Sequence, residues 1–133
     1  MRELLYEAAG HYREGRSFAE QGDLNAALSS FDRALEDLHA VKPQRMRDIL
    51  LAQVYLSRYE LCRERDRKRA AMDLRWGYSY ARTTMEPTVR LHAEELWRQE
   101  LTHYQAQARD GKNRQKEGPA RKRRGRGRRK RRS

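Results

Sequence analysis

The side chains with the most evident chemistry in this sequence lie at its C-terminal end. Arg121, Lys122, Arg123, Arg124, Arg126, Arg128, Arg129, Lys130, Arg131 and Arg132 make ten cations within the fifteen residues 119–133, with no acid and no aromatic among them. Such a run binds polyanions, because every phosphate it neutralises releases condensed counterions. Gly125 and Gly127 keep it pliable, as in arginine-rich RNA-binding segments. Without aromatics it has no stacking platform, which argues against base-specific readout. The same residues would serve as a nuclear or nucleolar import address in a eukaryote. A membrane-surface role is disfavoured, since no lipidation signal or apolar anchor accompanies the run. The plainer alternative is a solubilising tail.

A second set is suited to gripping a protein. Tyr12, Arg16 and Glu20 lie four residues apart, and so do Tyr55, Tyr59 and Arg63, so each trio shares one helical face. Tyr and Arg combine large contact area with directional polar groups and are enriched in binding hot spots. Each trio is therefore a candidate lining for a groove that takes an extended or helical peptide segment. The bland alternative packs Tyr55 and Tyr59 inside the fold and leaves Arg16 and Glu20 as an ordinary surface ion pair.

Enzyme chemistry is not expected. Cys62 is the only cysteine, cannot form an internal disulfide, and fits a small buried hydrophobe in a reducing compartment. His11, His39, His92 and His103 are scattered without metal-ligand spacing. There is no phosphate loop, dinucleotide fingerprint or nucleophile elbow. The expectation is no catalytic residue, no metal, no cofactor and no small-molecule substrate.

The charge is unevenly placed. Residues 109–133 hold 14 of the 31 Lys and Arg and 2 of the 19 Asp and Glu, which leaves 17 of each sign in residues 1–108. A neutral body at 1–108 and a cationic appendage at 109–133 are the expected domains. From Arg109 onward apolar residues give way to Gly, Lys, Asn, Gln and Arg, so no core can form and the appendage is expected to be disordered. No stretch reaches the roughly 18 apolar residues of a membrane-spanning helix, and the acidic N-terminus is unlike a secretory signal. An intracellular protein is expected: nuclear or nucleolar if eukaryotic, otherwise cytoplasmic.

The elements that position these residues all read as helices. The first runs from about residue 3 to 21, stopped by Gly22 in a left-handed turn, with Asp23 capping the next. Leu24, Ala27, Leu28, Phe31, Ala34, Leu35 and Leu38 then form an apolar stripe at spacings of three and four. Pro43 interrupts the pattern. A third helix is expected over 44–64 and a fourth over 66–83, with Ala70, Leu74, Gly77 and Ala81 on one face. Pro87 opens a fifth, expected to end near Ala108.

Gly15, Phe18, Gly22, Ala27, Phe31 and Ala34 occur in an order and spacing that resembles the tetratricopeptide repeat, a helix hairpin of about 34 residues. Ala70, Leu74 and Gly77 fall 43 residues after Ala27, Phe31 and Ala34, although Arg58 and Arg65 stand where the first repeat has Gly15 and Gly22. The resemblance implies an all-α stack of two antiparallel hairpins, with the fifth helix as a capping helix or as the start of a third repeat. It also implies that the first helix of each hairpin lines a concave, partner-binding surface. The subclass that clamps a C-terminal carboxylate with Lys and Asn is not expected. Its places hold Tyr12, Arg16 and Leu56, and Arg90 alone could correspond to a clamp residue.

These readings converge on a protein–protein adaptor whose tail contacts nucleic acid, RNA first, or directs the chain to the nucleus. One rival is a nucleic-acid-binding protein whose helical body only presents or dimerises the tail. The other is a structural subunit completed by another chain.

Overall fold

The computed structural model describes residues 2–117, with side chains through Asp110. Among these residues the protein is all-helical: α1 (Arg2–Glu20), α2 (Leu24–His39), α3 (Arg45–Cys62), α4 (Arg67–Thr83) and α5 (Pro87–Glu117). Helices α1 and α2 pair as one hairpin and α3 and α4 as a second, with α3 also lying against α1 and α2.

Local chemistry fixes where the helices turn. Gly22 takes φ +84°, the left-handed stop expected of it, and the Asp23 amide donates back to the Phe18 carbonyl at 2.9 Å. The Asp23 carboxylate then accepts from the Ala26 amide at 3.2 Å and caps α2. The second hairpin has Arg65 in place of that glycine and closes without a positive φ. Its turn uses two amides instead, from Arg65 and Asp66, both donated to the Cys62 carbonyl. Asp66 caps α4 by accepting from the Arg69 amide. At α5, Pro87 occupies the first helical position, where a missing N–H costs nothing, and Glu86 accepts from the Val89 amide at 3.0 Å.

Small residues set the spacing within each hairpin. A Cβ on Gly15 would overlap the Phe31 ring, and Ala27 and Ala34 are fully buried beside it. In the second hairpin a Cβ on Gly77 would stand 2.8 Å from Leu56 Cδ2, with Ala70, Leu74 and Ala81 buried along the same face. Where the first hairpin has Gly15, the second has Arg58. Its guanidinium donates to both carboxylate oxygens of the buried Asp73 and to Asp32 on α2.

Two apolar clusters share α3. Leu50, Leu51, Val54 and Tyr55 pack with Phe31, Leu35 and Leu38. Ile49, Ala52, Leu56, Tyr59 and Cys62 pack with Leu74, Val89, Ala93 and Leu96. Burying each such large side chain contributes roughly 1.5–3 kcal/mol.

The fifth helix departs from expectation. It continues past Ala108 to Glu117, so the segment from Arg109 is not irregular at its start. Gln105, Ala106, Gln107, Ala108 and Arg109 are good helix formers, and solvated helix needs no core of its own to continue a helix already nucleated. Contacts divide the chain into two compact units, with the division between Trp97 and Arg98. The ten basic residues from Arg121 to Arg132, and their expected disorder, lie outside the described residues.

Candidate protein-binding cleft

The first helices of the two hairpins and the start of α5 enclose a cleft of ≈ 510 Å³. Ala19, Phe31, Leu56, Leu61 and Val89 supply its apolar lining, and Tyr12, Arg16, Gln53, Ser57, Glu60 and His92 its polar one. Two polar contacts tie the walls together. The Tyr12 hydroxyl lies 3.3 Å from Ser57 Oγ, joining α1 to α3. His92 Nε2 lies 3.4 Å from Glu60 Oε2, joining α5 to α3.

Arg16 is aimed by the same contacts. Its Nη1 donates to the Tyr12 hydroxyl at 3.0 Å, and the guanidinium sits 5.7 Å from the centre of that ring. This hydrogen bond, followed by the Tyr12 charge, holds the guanidinium above its usual pKa. Arg16 is exposed and carries a fixed positive charge at the rim, with Glu60 as the facing negative one. Such an arrangement can take an apolar side chain on the floor and orient the chain carrying it by its polar groups.

Of the six residues expected to line a groove, Tyr12 and Arg16 do so. Glu20 is exposed on α1 and is not part of the cleft lining. Tyr55, Tyr59 and Arg63 lie elsewhere, because the face of α3 that carries the tyrosines is turned into the fold. Tyr59 is 1% exposed and Tyr55 9%. The Tyr55 ring stacks on Tyr80 at 6.1 Å, and its hydroxyl lies 3.1 Å from His39 Nε2. Burial, and then the neighbouring Tyr80, push the Tyr55 phenol up. Arg63 covers the Tyr59 ring at 5.7 Å.

The cleft residues that the tyrosine spacing missed are Gln53, Ser57, Glu60 and His92. The first three fall at intervals of four and three on α3, a polar stripe on a helix otherwise rich in apolar residues. That stripe, and not the aromatic one, marks the face turned toward the cleft.

Among the described residues no group of His, Cys, Asp and Glu could hold a metal ion, and no helix is long and apolar enough to cross a membrane. Comparison with protein-family models, curated proteins and solved structures finds no match to this chain.

Proposed function

We propose that this chain is a non-enzymatic adaptor of tetratricopeptide-repeat type, which holds a segment of a partner protein in the cleft between α1, α3 and α5. The observation that carries the reading is the cleft itself: an apolar floor from Phe31, Leu56 and Val89 under a rim of Tyr12, Arg16, Glu60 and His92. The close approach of Gly15 to Phe31, with Ala27 and Ala34 buried beside it, supports the kinship to the repeat. The cationic run from Arg121 to Arg132 contacts nucleic acid, RNA first, or addresses the chain to the nucleus or nucleolus.

Capture from cognate lysate after nuclease treatment tests both halves. Proteins held by the cleft stay bound to the unaltered chain and to one with Arg128, Arg129, Lys130, Arg131 and Arg132 replaced by Ser. They are lost from an Arg16→Glu/Glu60→Arg chain. Retention of every nuclease-resistant protein by that rim variant would reject the cleft. Loss of all of them with the tail variant would favour a protein whose body merely presents the tail.

A further inference from the structure

The neutral charge balance of the body conceals a strong local asymmetry on α4. This helix carries Arg67, Lys68, Arg69, Arg75 and Arg82 against a single acid, Asp73. Asp73 is 2% exposed, and both its oxygens accept from Arg58. The outer face of α4 therefore presents no negative charge. Arg67 is turned back onto the Arg63 carbonyl, and Arg69 lies 3.9 Å from Asp32. Lys68, Arg75 and Arg82 remain exposed, and Arg82 lies over the Tyr78 ring. Spaced by seven residues, they form one stripe with about 10 Å between successive members. That interval matches about three nucleotides of a stacked strand, at about 3.4 Å each.

Two large apolar side chains border the stripe on the same surface. Met72 is 61% exposed and Trp76 48%, four residues apart. The Trp76 indole is not loose: it stacks on Tyr80 at 6.2 Å, and Tyr80 in turn stacks on Tyr55, with ring planes 5° apart. A ladder of rings anchored in the core thus ends in a partly exposed indole beside three cations.

We propose that the outer face of α4 binds single-stranded nucleic acid, with Lys68, Arg75 and Arg82 on phosphates and Trp76 stacking on a base. The charges select a polyanion, and the supported indole selects one with open aromatic faces. A duplex keeps its base faces covered, and an acidic peptide has no flat ring to place there. This face supplies the stacking surface that residues 119–133 lack, and it stands apart from the cleft and whatever the cleft holds.

The test uses the full chain and 20-nucleotide oligo(rU) and oligo(dT), with affinity followed by anisotropy across a salt series. A K68Q/R75Q/R82Q chain with unchanged circular dichroism should bind more weakly, and its slope of log K on log salt should be shallower by about 2. In a W97F chain Trp76 is the only tryptophan, since the sequence has two, and saturating oligonucleotide should quench its emission. Replacing Arg128–Arg132 by Ser should lower affinity yet leave the quenching at saturation intact, which separates this face from the tail. Preference for either sugar supports the proposal. An unchanged slope in the triple variant, or Trp76 emission indifferent to saturating oligonucleotide, overturns it. Equal quenching by a poly-glutamate peptide also overturns it, assigning the face to an acidic protein. Should the triple variant not fold, the Trp76 signal still decides.

Discussion

The Arg58 guanidinium grips both oxygens of Asp73, Nη2 to Oδ1 at 2.8 Å and Nε to Oδ2 at 3.1 Å, 43 residues on from Gly15. The two hairpins thus join their helices by different means at corresponding places, close contact in one and a buried ion pair in the other. Burial pulls the Arg58 pKa down, but the hydrogen bonds and charge of Asp73, with Asp32 behind them, more than offset it and hold it above its usual value.

Removing one partner of such a pair strands the other. Asp73→Ala should cost about 3 kcal/mol, tempered by Asp32, which still accepts from Arg58 at 2.7 Å. Asp32→Ala, at a carboxylate 53% exposed, should cost about 1 kcal/mol or less. An Arg58→Met/Asp73→Leu chain should recover most of the loss. Urea unfolding of the four chains checks the order, and equal losses for Asp73→Ala and Asp32→Ala would contradict it.

The first hairpin answers to a methyl group. Gly15→Ala should destabilise by about 1–3 kcal/mol, because the Phe31 ring must move out of its packed place. Gly10→Ala, whose new Cβ would meet nothing nearer than Arg13 at 3.9 Å, should instead stabilise by up to about 1 kcal/mol through helix propensity. Opposite signs for the two changes, read from denaturant midpoints, are the expected result.

The helix ends were legible in the sequence because capping chemistry is local: Gly22, Asp23, Asp66 and Pro87 each act through atoms within a few residues. The orientation of α3 was not legible. Ile49, Leu51, Tyr55, Leu56 and Tyr59 surround this helix with apolar side chains, so no single stripe marks its inside, and the spacing of Tyr55 and Tyr59 fits a groove as well as a core. Of the six candidate groove residues, only Tyr12 and Arg16 on α1 lie along the cleft, where they share one helical face. The far end of α5 was missed because composition reports the lack of a core, and a polar helix can extend without one.

His39 couples stability to pH. Partial desolvation at this largely exposed residue, and after it the Arg47 charge, hold its imidazole below the usual value, so the unfolded chain takes up its proton first as pH falls. The stabilisation from this group is therefore present above about pH 6.5 and is lost on acidification toward the lower folded value. His39→Gln should flatten that part of the stability profile between about pH 7.5 and pH 5, measured as the difference in urea midpoint from the unaltered chain. Identical profiles would show that the imidazole does not contribute.

Cys62 offers a probe of opening. It is 5% exposed, and burial pushes its thiol up, so the folded protein should react slowly with a thiol reagent at neutral pH. Reaction should be fast in denaturant, and Asp73→Ala should speed it under native conditions by about tenfold for each 1.4 kcal/mol of stability lost. Rapid native labelling at the rate of a free thiol would contradict the packing between α3 and α4.

Helix α3 is the shared wall of both apolar clusters, and this bears on how the chain is made. As it leaves the ribosome, the first hairpin emerges with Leu35 and Leu38 not yet packed against Leu50, Leu51, Val54 and Tyr55 of α3. Until α3 has emerged, that hairpin is a sticky, unfinished surface open to chaperones. Once α3 docks, its other flank bares Ile49, Leu56 and Tyr59 and recruits α4 in turn. Growth from the N-terminus thus becomes a relay in which each newly made helix covers the last and exposes the next.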